Sequence, residues 1–150
     1  MTVNPVQAGP RKVSYTVEVA RPADELFALV ADPHRHHELD GSGTVRAAVK
    51  GPHSLATGDT FSVAMRMYGF PYRITSKVLH AVPGKVVEWR HPAGHTWRWE
   101  FQPTDAGTKV TETWDYSRVS GVQAKAFELL RFPKQNAAGI RRTLEKLATS

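Results

Sequence analysis

The sequence contains no cysteine, and no apolar run in it approaches the length of a membrane span. The absence of cysteine excludes disulfides, thiolate metal sites and cysteine nucleophiles. A membrane-spanning helix needs about 20 predominantly apolar residues. The first ten residues also lack the basic and apolar segments of a signal peptide. We therefore expect a soluble, cytoplasmic protein with no membrane span.

Acidic residues are outnumbered, with 14 Asp and Glu against 20 Lys and Arg, which gives a net charge of +6. Such a balance leaves nucleic acid or an anionic membrane surface open as partners. However, the basic residues are scattered from Arg11 to Lys146 rather than clustered. Several, such as Arg73 and Lys77, fall at the polar positions of predicted strands, which is typical of a solvated face. We do not expect nucleic-acid binding.

Turn-like breaks divide the middle of the chain, and each contains Gly, Pro or both. These residues supply the backbone angles that tight reversals need. The breaks are His53–Asp59, Tyr68–Pro71, Val82–Lys85, His91–His95 and Pro103–Lys109. Between them, apolar and polar residues alternate with the period of two that is typical of half-buried strands. The predicted strands are Lys12–Ala20, Thr44–Lys50, Thr60–Met67, Tyr72–Ala81, Val86–Arg90, Thr96–Gln102 and Lys109–Val119.

Helices are predicted after the first strand and at the end of the chain. Pro22 opens the first helix, and Asp32 is a plausible N-cap for a second short one that runs to about Leu39. The segment Val122–Ala148 is amphipathic, and Pro133 predicts a kink or a division into two helices. The 150 residues suffice for one domain, which we place at 12–150, after a flexible N-terminal tail over 1–11.

This order of elements resembles the START/birch-allergen-like (SRPBCC) superfamily, and within it the bacterial polyketide cyclase/dehydrase-like branch. The likeness covers roughly Val13 to Leu147, and its recognisable pieces are Val19–Pro33 (VARPADELFALVADP) and Gly107–Thr113 (GTKVTET). The resemblance implies an α+β helix-grip fold, in which a curved seven-stranded antiparallel sheet wraps around a long C-terminal helix. Members bind lipids, sterols, polyketides or hormones, and a minority catalyse cyclisation or dehydration. The superfamily has no universal catalytic motif, so no catalytic residue is carried over.

The aromatic side chains are the strongest signal for a binding site, because the tryptophans fall on the apolar side of their strands. Indoles combine large apolar area with an N–H group that needs a partner when buried. A cavity lined in this way favours a flat hydrophobic or aromatic molecule, although any single ring can equally fill the core. The predicted ligand-binding residues are Phe61, Met65, Tyr72, Ser76, His80, Trp89, Trp97, Trp99, Glu112, Trp114, Tyr116, Asn136 and Ile140.

Glu112 is the most unusual of these residues, because its position in the strand places a carboxyl group on the apolar side with Val110 and Trp114. Burial would raise its pKa and make it a candidate general acid or base. A salt bridge to an inward Arg, or a strand irregularity that turns the side chain outward, would explain Glu112 equally well. Glu112 is therefore a candidate catalytic residue only.

The histidines do not predict a metal site. His34 and His37 lie three apart on the second short helix, and His91 and His95 flank one turn. Zinc needs three or four converging ligands, and neither pair has an evident third one. We expect no metal and no cofactor, since phosphate loops, Ser-centred elbows and HExxH motifs are also absent. His34, His36 and His37 are expected to be exposed, on a helix that forms the rim of the cavity mouth.

Three functions remain open for this sequence. The favoured one is binding of a small hydrophobic or aromatic molecule, lipid- or polyketide-like, between the sheet and the C-terminal helix. The second is a cyclase/dehydrase-type enzyme that uses Glu112 as acid or base. The third is a non-catalytic interaction or regulatory module. The identity of the ligand and the choice between monomer and homodimer do not follow from the sequence.

Overall fold

A computed structural model describes residues 2–41, 45–67 and 69–149. Thr44, at the predicted start of one strand, and Tyr68, in a predicted turn, lie outside the described residues. Within the described chain, four helices and a 3-10 turn accompany eight strands. The helical elements are α1 (Ala23–Val30), a 3-10 turn (Pro33–Arg35), α2 (His36–Leu39), α3 (Gly121–Leu129) and α4 (Phe132–Thr149). The strands are β1 (Asn4–Val6), β2 (Lys12–Val19), β3 (Val45–Lys50), β4 (Thr60–Met67), β5 (Phe70–Val82), β6 (Val86–Arg90), β7 (Thr96–Thr104) and β8 (Gly107–Asp115).

All eight strands form one antiparallel sheet in the order β1-β2-β8-β7-β6-β5-β4-β3. Strands β3 to β8 follow one another as a meander, as the turn signals predicted. The sheet is closed on one side by pairing β8 with β2, whose register runs from Lys12↔Asp115 to Val19↔Thr108. The predicted α+β helix-grip architecture is confirmed.

The predicted count of seven strands is wrong by one, because β1 forms in the segment expected to be a flexible tail. Asn4 pairs with Thr16 and Val6 with Ser14, which places β1 at the edge of the sheet. Pro5 lacks a backbone N–H, and an edge strand is where a proline is tolerated. A strand of three residues is too short to show an alternating pattern, so the sequence carries little signal for it.

The C-terminal segment is divided into two helices, as Pro133 predicted. Arg131 adopts a left-handed backbone conformation, with φ of 62°, between α3 and α4. Pro133 then occupies the first turn of α4, where its missing N–H leaves no helical bond unmade. The apolar stripe of α4, which includes Ile140, Leu144 and Leu147, is buried and packs against β2 and β8. Helix α4 therefore covers only part of the sheet.

Two further helices cover other parts of the sheet. Helix α1 packs against β6 and β7, and buries Leu26, Phe27, Leu29 and Val30. Asp32 caps the 3-10 turn as predicted, since its Oδ1 accepts a hydrogen bond from the backbone N–H of His34 at 3.0 Å. Helix α2 contacts both β3 and α4. None of the helices in the described part of the chain is both long and apolar enough to cross a membrane.

Candidate functional site

A cavity of about 740 Å³ lies between the inner face of the sheet and α4. Strands β4 to β8 supply its wall, while α2, α3 and α4 supply the opposite side. Its apolar side chains come from positions that alternate along the strands, such as Phe61 and Val63 on β4 and Trp97 and Trp99 on β7. The period-two pattern seen in the sequence is thus the cause of an apolar wall.

Three indoles stand side by side across the sheet. Trp97 on β7 pairs in register with Trp89 on β6 and with Trp114 on β8, and all three line the cavity. The ring centroids of Trp97 and Trp114 are 6.3 Å apart. Trp114 is also part of the core, because it is 1% exposed and stacks on Tyr116 at 4.6 Å. The row provides a broad aromatic surface within the cavity.

Glu112 lies in the next row of the same wall. It pairs in register with Trp99, is 6% exposed, and its Oε1 has no hydrogen-bond partner in the described part of the chain. Burial raises the pKa of Glu112 well above its ordinary value of 4.5, and the nearby charge of Asp40 raises it further. No arginine forms an ion pair with it among the described residues. The structure therefore places an uncompensated carboxyl group inside the cavity.

Two of the predicted site residues are not among those that line the cavity. His80 points outward, 3.9 Å from Glu88, because Leu79 is an extra residue in β5 and shifts the register between Val78 and His80. Such a bulge reverses the side on which the following residues lie. Tyr116 is buried beside the cavity, and its hydroxyl donates a hydrogen bond to Glu128 at 2.9 Å.

The other predicted site residues line the cavity together. They are Phe61, Met65, Tyr72, Ser76, Trp89, Trp97, Trp99, Glu112, Trp114, Asn136 and Ile140. Tyr72 is the most exposed of the aromatic members, at 36%, and lies where the cavity opens. The strand residues were identified by alternation, and the two helical ones by the apolar stripe of α4.

His36 corrects the expectation that the histidines of the second short helix are exposed. Its ring is half-buried in the cavity wall and stacks on Trp89, with 5.1 Å between the centroids. Its Nε2 donates to the carbonyl oxygen of Val30 at 2.7 Å, a role that fixes the proton on Nε2. Burial lowers the pKa of His36 despite this hydrogen bond. The sequence offered no signal for this contact, because α2 and β6 are far apart in the chain.

His91 and His95 line the end of the cavity beside the indole row. Their rings stack at 4.2 Å, and the ring of His95 lies 5.6 Å from that of Trp114. The backbone N–H of Ala93 donates to His91 Nδ1 at 2.9 Å, while His95 Nδ1 has no partner in the described part of the chain. Burial, and to a lesser extent His91, lowers the pKa of His95 to about 3. Both rings are neutral at neutral pH, since burial lowers the pKa of His91 as well.

The loop after α2 is fastened to α4 at the rim of the cavity. The backbone N–H of Gly41 donates to Thr143 Oγ1 at 2.9 Å, and the carbonyl oxygen of Gly41 accepts from Arg142 Nε at 2.7 Å. Lys146 Nζ donates to the carbonyl oxygen of Asp40 at 2.7 Å. Three hydrogen bonds thus join segments about 100 residues apart and hold Asp40 against the cavity.

One group of metal-ligating side chains comes together in the described structure, away from the cavity. Ligand atoms of Asp32, His34 and His53 lie within 4.8 Å of one another. Hydrogen bonds already account for this cluster, since His34 Nε2 contacts the carbonyl oxygen of Gly51 at 2.8 Å and His53 Nδ1 contacts Asp32 at 3.4 Å. The two imidazoles also stack nearly parallel at 3.9 Å. Lone pairs that lie in separate parallel planes do not converge on one ion.

Comparison with known proteins gives both a family and a fold. Residues 10–150 match the model of the family described as polyketide cyclase/dehydrase and lipid transport. The chain is 54% identical over 151 residues to the uncharacterized protein Rv0088 of Mycobacterium tuberculosis (strain ATCC 25618 / H37Rv), which covers 99% of this chain and 67% of the relative.

Solved structures from other bacteria are similar in fold. A crystal structure from Rhodobacter sphaeroides superposes with a TM-score of 0.75 at 13% identity, and covers 99% of this chain and 96% of that one. Protein NE0264 from Nitrosomonas europaea gives a TM-score of 0.69 at 18% identity, over 91% of this chain and 93% of that one. At these identities the likeness concerns the fold alone.

Proposed function

This chain belongs to the polyketide cyclase/dehydrase and lipid transport family, and on that premise we propose that it binds a small hydrophobic or aromatic molecule, lipid- or polyketide-like, between the sheet and α4. The observation that carries the proposal is the cavity of about 740 Å³. Protein interiors are normally close-packed, with few voids larger than a water molecule. A space of this size falls within the range of about 300–1,000 Å³ that is typical of small-molecule sites.

The lining supports an aromatic or otherwise flat apolar ligand. The row of Trp89, Trp97 and Trp114 offers indole faces, and Phe61 and Ile140 add apolar surface. Aromatic rings bind flat molecules by offset stacking and edge-to-face contact in addition to the burial of apolar area. The apolar side chains supply affinity, and the few polar groups among them are left to fix the orientation of the ligand.

The first experiment is native mass spectrometry of the freshly purified protein, with extraction and identification of any bound molecule. We expect a mass adduct that is lost when the cavity is filled by Ala138→Phe, since Ala138 lines the cavity. The matched control is Ala126→Phe on the exposed surface of α3, which should keep the adduct. Thermal unfolding of both variants verifies that they are folded.

A second measurement covers the case in which the ligand is lost during purification. Titration with a panel of apolar compounds should quench tryptophan fluorescence to saturation, because four indoles line the cavity. The absence of both an adduct and saturable quenching would refute the binding function.

The acid/base chemistry of Glu112 favours a second candidate, an enzyme of the cyclase/dehydrase type. A buried carboxyl group with a raised pKa can hold and transfer a proton near neutral pH. Once the ligand is identified, Glu112→Gln separates the two functions. A carrier should keep its affinity for an uncharged ligand within a few-fold, whereas an enzyme should lose turnover by about 100-fold or more.

A further inference from the structure

Three polar atoms in the cavity wall lack the hydrogen-bond partner that buried polar atoms normally have. They are His95 Nδ1, Glu112 Oε1 and Trp114 Nε1, and all three residues line the cavity. Only two other buried side-chain atoms in the described part of the chain share this state, on Thr96 and Thr104. Leaving such an atom unpaired costs about 1–3 kcal/mol. The unmade bonds are therefore concentrated where a ligand would lie.

The chemistry of these atoms defines what they can bind. The indole N–H of Trp114 can only donate. The carboxyl group of Glu112 is kept neutral by burial, because its pKa is raised well above 4.5, and a protonated carboxyl also offers a donor. His95 is neutral with a pKa of about 3 and offers one donor and one acceptor. Two of the three groups thus call for an acceptor on the ligand.

The cavity offers little to a negatively charged ligand. Among its described lining residues, Arg142 is the one permanently charged cation; it is exposed, and its Nε already donates to the carbonyl oxygen of Gly41. Asp40 also lines the cavity and adds negative charge near Glu112. A carboxylate or phosphate placed beside Glu112 would be desolvated without a partner, which is costly.

The positions of the two donors indicate how the acceptors are arranged. Glu112 and Trp114 are two residues apart on β8, so their side chains emerge on the same face about 7 Å apart. A ligand that lies along β8, with oxygens at opposite edges of a ring system, can reach both. The indoles of Trp97 and Trp99 on β7 pair with these two residues and lie alongside.

We propose that the ligand is an uncharged aromatic molecule with carbonyl or hydroxyl oxygens that accept hydrogen bonds from Glu112 and Trp114, and that carboxylate- or phosphate-bearing lipids are excluded. This inference rests on the proposed binding function and narrows it to one chemical class. Glu112 acts here as a hydrogen-bond donor, whether or not any reaction follows.

The test uses three probes that share one ring system: 2-acetylnaphthalene, 2-ethylnaphthalene and 2-naphthoate. Isothermal titration calorimetry at pH 7 should give a dissociation constant about tenfold lower for the ketone than for the hydrocarbon, since one buried donor gains its partner. The naphthoate should bind at least tenfold more weakly than the ketone. Two protein variants assign the effect: Glu112→Gln retains a donor and should keep the preference for the ketone, whereas Glu112→Leu should remove it.

The possible outcomes separate the two proposals. Equal affinity for ketone and hydrocarbon, or tightest binding of the naphthoate, overturns the inference and leaves the binding function in place. If none of the probes binds, and no apolar compound quenches the tryptophans, both fail. Because the probe series is measured first on the unaltered protein, the result does not depend on whether Glu112→Leu folds. Trp114→Phe, checked for folding by its thermal transition, tests the second donor in the same way.

Discussion

Glu112 on β8 lies directly opposite Trp99 on β7, and both side chains line the cavity. The carboxyl group is therefore surrounded by an indole and apolar side chains rather than by water, with exposures of 6% for Glu112 and 4% for Trp99. Such surroundings disfavour the charged form and raise the pKa. The same contact that makes Glu112 useful for binding makes it a source of instability when it ionises.

Replacing Glu112 with Gln should stabilise the protein, and increasingly so as the pH rises. Above pH 4.5 the unfolded chain releases the proton of Glu112 while the folded chain retains it, so the native protein loses stability from that pH up to the raised pKa. The amide does not titrate. Thermal unfolding followed by circular dichroism between pH 4.5 and 9 should show a difference in Tm that widens with pH.

The control for this measurement is Glu145→Gln, because Glu145 is exposed on α4. Its difference from the unaltered protein should be small at every pH. A gap between Glu112→Gln and the unaltered protein that stays constant with pH would mean that Glu112 is ionised in the native state.

His95 should have the opposite effect, with stability lost toward acid pH. Its pKa is about 3 in the folded protein against 6.5 for an ordinary histidine. As the pH falls from 6.5 toward 3, the unfolded chain takes up a proton that the folded chain refuses, so the free energy of unfolding decreases. His95→Phe removes this term, and denaturant unfolding at pH 7, 6, 5 and 4 should show its advantage growing with acidity.

His37→Gln is the matched control for His95, because His37 is exposed. It should follow the pH dependence of the unaltered protein. The same slope in His95→Phe as in the unaltered protein would show that the ring of His95 is accessible to protons in the native state.

Gly41 should not tolerate a side chain, because α4 lies against it. A Cβ at this position would be 2.5 Å from the Cβ of Arg142 and 2.7 Å from the backbone nitrogen of Thr143. Gly41→Ala must therefore displace the loop from α4, at a cost of about 1–3 kcal/mol. Urea unfolding measures the loss. Gly121→Ala meets nothing within 4 Å and should change stability little or increase it slightly; an equal loss in both variants would contradict the contact.

Ser14 and Thr113 form a buried hydrogen-bonded pair between β2 and β8, with 2.8 Å between their hydroxyl oxygens. Thr113→Val should cost about 1–3 kcal/mol, because it leaves the hydroxyl of Ser14 without its partner. Adding Ser14→Ala should recover part of this loss, since no unpaired group then remains. A double-mutant cycle from chemical denaturation should give a coupling of about 1 kcal/mol, and strict additivity would exclude the bond.

Local patterns in the sequence predicted most of the strands and most of the cavity wall. The alternation that identifies β7 and β8 also assigns Trp97, Trp99, Glu112 and Trp114 to one face, because side chains alternate across a strand regardless of what it packs against. The same rule failed at His80. A single extra residue in β5 reverses the alternation, and nothing in the local sequence marks where the ladder shifts.

The sequence by itself determined the order of the elements, the apolar face of the sheet and the division of the C-terminal segment at Arg131 and Pro133. Only the tertiary structure decided which polar groups meet in the cavity: His36 packs on Trp89, His95 lies beside Trp114, and Gly41 is fastened to α4. The physical reason is the range of the interactions. Alternation and backbone preferences act over a few residues, whereas these contacts join segments whose proximity depends on strand register and helix packing across the whole fold.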